Sequence, residues 1–237
     1  MATFATTHWS VVMQTRQENS PAGAAALETL CHTYWYPLYA YCRRQGHTPS
    51  DSEDLTQQFF AVFLAKNSFA VATPGRGRFR NFLLASFKNF LANDHQRSQT
   101  VKRGGGLAFV SRDELEPELS YQKEPSSGFT PEKLYDQAWA FRLLDRAMSS
   151  LRSDYTASGK SDVFEALQIF LTGEETEITY KEIGAKLQMS ESAIKMAVSR
   201  LRQRYGQLLR QEIAHTVADE AGVEDELRHL IGAMMSR

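Results

Sequence analysis

Cysteines and long apolar runs are scarce in this sequence, and each scarcity excludes a class of protein. The two cysteines, Cys31 and Cys42, lie eleven residues apart in a stretch with helical periodicity. A helix would separate them by about 16 Å along its axis, which is too far for a disulfide. No CxxC pair suggests a metal site, so a reducing compartment is the simplest interpretation. No run is long enough for a signal peptide or a bilayer span. We therefore expect a soluble cytoplasmic protein.

Signatures of catalysis and of cofactor binding are also missing. The six histidines are scattered without the spacing of metal ligands. The basic, glycine-rich segments "GRGRFR" and "KRGGG" lack the Gly-Lys-Ser/Thr of a phosphate-binding P-loop. The acids Asp51, Glu53 and Asp54 open a helix-like segment, where they complement the helix dipole. We expect no metal, no cofactor and no enzymatic activity. The alternative from another class is a nucleic-acid-processing enzyme that uses these three acids.

The chain has almost no net charge, but its charges are segregated. The formal net charge is −1. Residues 76–103 carry seven basic side chains against one acid, a net charge of +6, and residues 190–210 carry five against one, a net charge of +4. Between them, residues 113–136 carry seven acids against two lysines, a net charge of −5. Two basic segments around an acidic one suggest a polyanion bound at two places. A solvated surface is the plain alternative for either segment alone.

Almost every periodic segment has the spacing of a helix, and no useful strand-like alternation occurs. The apolar content of 42% is enough for packed cores. A helix is predicted to end near Gly46, with Pro37 expected to kink or divide it. Ser50 and Glu53 have capping-box spacing for the next helix. The sequence therefore predicts an all-α fold of two small helical domains, joined by an acidic flexible linker.

The linker is predicted at residues 104–130, which combine glycine, proline, serine and acids without helical period. Helical character returns at Pro131, with Thr130 as its cap. The predicted domains are residues 1–103 and 131–237. The second is expected to contain a helix-turn-helix and a C-terminal helical extension.

The segment "YKEIGAKLQMSESAIKMAVSRLRQRY", from Tyr180, predicts two helices joined at Met189–Ser190. Thr179 and Glu182 have capping-box spacing for the first helix, and Ala185 is small enough for close helix contact. The predicted buried stripe of the second helix is Ile194, Val198, Leu201, Tyr205 and Leu208.

Hydroxyl and cationic side chains lie beside that apolar stripe. A recognition helix needs this arrangement, because its first turns enter the major groove while its apolar side packs on the protein. A plain amphipathic surface hairpin is the alternative. The predicted contacts with DNA, which the family resemblance given next assigns to an upstream promoter element, are Ser190, Ser192, Lys195, Ser199, Arg200, Arg202 and Arg204.

Three segments, in order, resemble those of one protein family. "ITYKEIGAKLQMSESAIKMAVSRLRQRYGQLLRQEI" resembles the −35-reading domain of extracytoplasmic-function (ECF) sigma factors, in the sigma-70 superfamily. "DSEDLTQQFFAVFL" resembles their helix that docks on the clamp of the RNA polymerase largest subunit. "FRNFLLASFKNFLANDHQRSQTVKR" resembles their segment that reads the melted −10 element. "YWYPLYAYCRRQG" and "THWSVV" are similar to a planctomycete-type subgroup.

The resemblance implies a factor that binds core RNA polymerase and directs promoter-specific transcription initiation. It assigns residues 1–103 to polymerase binding and to recognition and melting of the downstream element, where Asn89, Asp94 and Arg97 occupy family positions. With the cations of the +6 segment, the predicted downstream DNA contacts are Arg76, Arg78, Arg80, Lys88, Asn89, Asp94, Arg97, Lys102 and Arg103. The predicted polymerase contacts are Asp54, Gln57, Gln58, Phe60 and Leu64. Promoter DNA is the second expected partner, and an anti-sigma or other regulatory protein is left open.

Several positions depart from the family pattern. Phenylalanine replaces the frequent tryptophan in the 79–97 segment, and Met196-Ala197 replaces a Ser-Arg pair in the recognition helix. The loss of that arginine leaves Lys195, Arg200 and Arg202 to make the phosphate and base contacts. The chain beyond Gln211 is longer than a minimal family member requires. A stand-alone helix-turn-helix regulator, independent of core polymerase, is the alternative function.

Overall fold

A computed structural model describes residues 21–65, 78–98, 117–124, 128–171, 178–214, 216–217 and 220–235. The described residues form helices, turns and short connections, without strands, so the predicted all-α fold is confirmed. No helix among these residues has both the length and the apolar character that a bilayer crossing requires.

Nine α-helices and one short 3₁₀-helix occur in the described part of the chain. They are α1 Pro21–Arg44, α2 Pro49–Ala65, α3 Phe79–Ser98, α4 Pro117–Tyr121, α5 Pro131–Ala157, α6 Ser161–Leu167, the 3₁₀-helix Gln168–Phe170, α7 Tyr180–Leu187, α8 Glu191–Ala214 and α9 Glu220–Met235.

The chain divides into two compact units. Unit 1 comprises residues 1–142 and 213–237, and unit 2 comprises residues 143–212. The boundaries lie inside α5 and near the end of α8, whereas the sequence placed the division in the 104–130 segment. The C-terminal helix α9 thus belongs with unit 1. Charge pairing between α9 and α3, described below, is the physical reason for this grouping.

Aromatic side chains dominate the core of unit 1. Tyr34 and Tyr41 of α1 are buried, as are Phe59 of α2 and Phe87 of α3. The Phe59 and Phe87 rings meet edge to face, with 4.9 Å between their centroids. Such pairs add about 0.5–1.5 kcal/mol to the free energy of area burial, so these contacts hold α2 against α3.

The ends of α1 and α2 follow local sequence signals. Gly46 has φ of 95°, in the left-handed region that favours glycine, and it lies just beyond the end of α1 as predicted. The helix α1 runs through Pro37 undivided. The predicted Ser50 cap is wrong by two residues, because Thr48 Oγ1 accepts a hydrogen bond from Asp51 N at 3.1 Å.

Part of the predicted linker packs on α1. The Arg43 guanidinium donates to both oxygens of Glu118, at 2.8 and 2.9 Å, and Tyr39 Oη donates to Glu118 at 2.7 Å. Tyr36 Oη donates to Glu124 at 3.0 Å. The expectation of a free, flexible acidic segment is therefore wrong for residues 117–124, because these acids find partners on α1.

The core of unit 2 brings together four helices. Leu151 of α5, Phe164 of α6, Ile183 of α7 and Ile194 of α8 are all buried. This core fixes α7 and α8, which carry the predicted helix-turn-helix.

The two cysteines are free and buried, which confirms that they do not pair. Burial raises the pKa of Cys31 to about 12 and the pKa of Cys42 to about 12. Both thiols therefore stay protonated and unreactive near neutral pH.

Candidate nucleic-acid interface

Local caps define the two helices of the helix-turn-helix. Thr179 and Glu182 form the predicted capping box at the start of α7, with Thr179 N donating to the Glu182 carboxylate at 2.7 Å. Gln188 ends α7 in the left-handed region, with φ of 55°. Ser190 caps α8, because its Oγ accepts a hydrogen bond from Ala193 N at 3.2 Å. The joint between the helices is therefore fixed by backbone hydrogen bonding.

A glycine lets α7 approach the turn closely. A Cβ atom on Gly184 would lie 2.7 Å from the carbonyl oxygen of Met189, closer than real Cβ contacts. Ala185, which was expected to supply the small contact residue, is exposed instead. The prediction was wrong by one position, because Gly184 is the residue whose α-carbon faces the turn.

The inner side of α8 is apolar, as the helical periodicity predicted. Ile194, Val198, Leu201 and Leu208 are buried. Tyr205 is only partly buried, and its hydroxyl donates to the carbonyl oxygen of Leu144 at 3.3 Å. This stripe anchors α8 and determines which side chains face solvent.

The first turns of α8 present hydroxyl and cationic groups to solvent. Lys195 Nζ lies 2.7 Å from the Glu191 carboxylate one turn earlier. Hydrogen bonding to Glu191 raises the pKa of Lys195, which therefore remains charged near neutral pH. An exposed pair of this kind contributes little stability, so Lys195 can exchange Glu191 for another anion. The exposed predicted residues of this face are Ser190, Ser192, Lys195, Ser199 and Arg200.

The two later arginines of α8 contact the protein itself. Arg202 donates from Nε and Nη2 to the carbonyl oxygen of Phe170, at 3.3 and 3.1 Å. Arg204 Nη2 lies 2.6 Å from the Asp154 carboxylate. Both were predicted to contact DNA, and the structure gives both an internal structural partner.

Arg80 is buried, contrary to the prediction that it faces DNA. Its side chain is 3% exposed. Arg80 Nε lies 3.2 Å from each carboxylate oxygen of Glu226 on α9, and its Nη1 pairs with Asp136 on α5. The guanidinium carbon lies 5.1 Å from the centroid of the Trp139 ring. The cation is held in unit 1 because two carboxylates and an aromatic ring surround it.

The other predicted downstream residues fall in three groups. Asn89 is exposed and Asp94 partly exposed, whereas Lys88 pairs with Glu132 of α5 and Arg78 Nε lies 3.7 Å from Glu226. The side chain of Arg97 on α3 lies outside the described residues. So do Arg76, Lys102 and Arg103 entirely.

A groove with a mixed polar and apolar lining lies between α1, α2 and α3, with a volume of about 740 Å³. It brings together Asp54 and Gln58, predicted to contact polymerase, with Lys88 and Asp94, predicted to contact DNA. Gln57 and Leu64 are partly exposed. The expected exposure of Phe60 is wrong: this side chain is 3% exposed, because it packs edge to face on Phe59.

The acidic partners of the basic helices were not predicted from the sequence. Glu226 is separated from Arg80 by 146 residues and Asp136 by 56 residues, so no local spacing reveals either contact. One signal was present, since the −5 segment at 113–136 includes both Glu132 and Asp136. Part of the charge segregation thus reflects pairing within the protein.

Comparisons with known proteins gave no match: no protein-family model, no curated protein and no solved structure is similar to this chain.

Proposed function

We propose that this chain is a cytoplasmic sigma factor, which binds core RNA polymerase and directs promoter-specific transcription initiation without catalysing bond chemistry itself. The observation that carries the proposal is the outer face of α8. There Ser192, Lys195, Ser199 and Arg200 are exposed on a helix whose opposite side is buried. Short hydroxyl side chains allow close approach to a duplex, and long cations reach bases or phosphates.

The groove of unit 1 supports a second contact. Asp54 and Gln58 are exposed on α2 beside partly buried Leu55. A mixed polar and apolar surface is typical of a site that binds another protein. The resemblance of this helix to the clamp-docking helix of ECF sigma factors suggests that the partner is the largest subunit of RNA polymerase.

Polymerase would convert two weak DNA contacts into one strong one. In each unit, two of the predicted DNA-contacting cations are held by partners within the protein: Arg80 and Lys88 in unit 1, and Arg202 and Arg204 in unit 2. We therefore expect weak binding to DNA by the free chain. Fixing both units on one large partner makes the second contact effectively intramolecular. Capture of an unpaired base downstream would offset an unpairing cost of a few kcal/mol.

The decisive test is transcription in vitro with purified bacterial core polymerase and a library of random promoter sequences. We expect the chain to select a defined upstream element and a defined start site. Failure to associate with core polymerase, or association without a chosen start site, would reject the proposal. Tight duplex binding without polymerase would favour the stand-alone regulator, and metal-dependent turnover of nucleic acid would favour the enzyme.

A double variant, Lys195→Ala with Arg200→Ala, tests the recognition face. Loss of one base contact costs about 1–3 kcal/mol, and loss of one phosphate contact lowers the salt slope by about 1. We expect the double variant to lose the upstream preference while still binding core polymerase. Arg210→Ala is the control, because it removes the same type of charge later on the same helix. An unchanged promoter choice in the double variant would remove the recognition assignment.

A further inference from the structure

The C-terminal helix α9 covers two arginines of unit 1. The Glu226 carboxylate lies 3.2 Å from Arg80 Nε and 3.7 Å from Arg78 Nε, and Glu226 is itself 1% exposed. His229, one turn later, lies 3.3 Å from Asp136, with its ring 6.4 Å from the Trp139 ring. One face of α9 thus fills the space above a cationic and aromatic surface.

Few side chains of α9 are fully buried. Among its described side chains, the buried ones are Val223, Glu226 and Leu230, which share one stripe. The exposed ones, Glu224, Asp225, Arg228, Ile231 and Met235, lie on the opposite face, and Leu227, His229, Ala233 and Met234 are partly buried beside the stripe. One of the three fully buried side chains is therefore a carboxylate. Helices with few buried apolar contacts are among the parts of a protein that open at the lowest free energy.

The Glu226 carboxylate can also be replaced by another anion. Burying a carboxylate and a guanidinium costs desolvation free energy, and their attraction only roughly offsets it. A phosphate can take the place of Glu226, because arginine binds both anions with the same fork of donors. Asp136 belongs to α5, so Arg80 retains one partner while α9 leaves.

We propose that α9 is a displaceable lid over a binding surface for single-stranded DNA, formed by Arg78, Arg80 and Trp139. Single-stranded nucleic acids bind where cations contact the backbone and aromatic rings stack on bases. The surface beneath α9 combines both, since the Arg80 guanidinium lies 5.1 Å from the Trp139 ring. This inference rests on the proposed function for the choice of DNA as ligand. It adds a site that is closed in the free chain and a helix that closes it.

Competition between Glu226 and the DNA backbone makes the effect reciprocal. Whatever weakens the attachment of α9 raises the affinity for DNA, and DNA binding weakens the attachment of α9 by the same factor. Two independent measurements follow, one on variants and one on the unaltered chain.

The first measurement is the affinity of the full chain for a fluorescent 20-nucleotide oligothymidine strand at fixed salt. Glu226→Gln keeps the shape of the side chain and removes its charge. We expect it to bind the strand at least about fivefold more tightly than the unaltered chain, which is the lower end of typical coupling between two binding events.

Asp225→Asn is the matched control, because this neighbouring acid is exposed and pairs with Arg228 on its own helix. We expect it to change the affinity by less than about twofold, as one screened surface charge would. Equal effects of the two variants, or no gain in Glu226→Gln, would overturn the lid.

The second measurement is amide hydrogen exchange of the unaltered chain with and without the same strand, which does not depend on how a variant folds. We expect faster exchange in peptides from residues 220–235 when DNA is bound. Exchange there that is unchanged or slower at saturating strand would overturn the proposal, as would the absence of any binding in both chains. Neither measurement involves polymerase. A failure of the sigma-factor proposal therefore appears in transcription, and a failure of the lid appears in exchange and affinity.

Discussion

The cations of the basic helix α3 and those in the first turns of the basic helix α8 have opposite environments in the structure. On α3, Arg80 is buried between carboxylates of α5 and α9, and Lys88 pairs with α5. On α8, Lys195 and Arg200 are exposed, and the carboxylate partner of Lys195 is one turn away. The difference shows that a basic run can bind the protein's own acids or remain available for a ligand, and that the run alone does not distinguish them.

The contrast extends to how each unit is held together. In unit 1, charge pairs between residues far apart in the sequence tie α9 to α3 and α4 to α1, through Arg80–Glu226 and Arg43–Glu118. In the helix-turn-helix of unit 2, caps at Thr179 and Ser190 and a close approach at Gly184 fix the geometry locally. Buried pairs are screened little by salt, whereas DNA binding through exposed cations weakens steeply as salt rises.

The largest expected effect comes from removing Arg80. Arg80→Met leaves Glu226 buried with only the more distant Arg78, and breaking a buried pair in this way costs about 3–5 kcal/mol. We expect the free energy of unfolding of unit 1 to fall by this order. The measurement is amide hydrogen exchange in increasing urea, followed in peptides from α3.

Two controls sharpen that prediction. Arg200→Met removes an exposed cation of α8, and we expect a change within about 0.5 kcal/mol in unit 2. The double variant Arg80→Met with Glu226→Met replaces both charges by apolar groups, which is often neutral or stabilising. If Arg80→Met is no more destabilising than Arg200→Met, the two helices do not differ in the way described.

A smaller loss is expected at the local contact of unit 2. In Gly184→Ala, the new methyl group would press on the Met189 carbonyl, and overpacking of this kind costs about 1–3 kcal/mol. We expect a lower melting temperature and a displaced α8. Loss of selection for the upstream element would report the displacement.

Gly206→Ala is the control within α8, since its Cβ would lie 3.6 Å from Arg210 and would meet no backbone. Replacing a helical glycine there should stabilise the helix by up to about 1 kcal/mol. Equal destabilisation by both variants would contradict the close-contact explanation.

Most local signals of the helix-turn-helix were predictable from the sequence, and distant pairings were not. The capping box of Thr179 and Glu182, the Ser190 cap and the apolar stripe of α8 depend on spacings of a few residues, and all were predicted. The burial of Arg80 depends on Glu226, which is 146 residues away. Phe60 was misplaced because an apolar run on α2 does not specify which of its neighbouring aromatic residues faces the core. Thus the geometry of the helix-turn-helix was predictable, while the availability of each cation was not.

The smallest expected effect is the acid sensitivity of the Arg43–Glu118 contact. Hydrogen bonding to Arg43 lowers the pKa of Glu118 in the folded protein. A carboxyl group with a lowered pKa stabilises the folded state above its unfolded pKa, which is about 4.3 for glutamate. That contribution is lost as the pH falls below this value towards the folded pKa. This contribution is modest, because the Glu118 side chain is 26% exposed and solvent screens the pair.

We expect Glu118→Gln to destabilise unit 1 slightly near pH 7. The difference in the free energy of unfolding from the unaltered chain should shrink as the medium becomes acid. Urea unfolding at neutral and acid pH, followed by exchange in peptides from α1, measures this difference. In Glu182→Gln, the carboxylate lost is a fully exposed capping group of unit 2, so α1 should show no such pH-dependent change. A constant difference between Glu118→Gln and the unaltered chain at all pH values would mean that α4 is held by packing and not by charge.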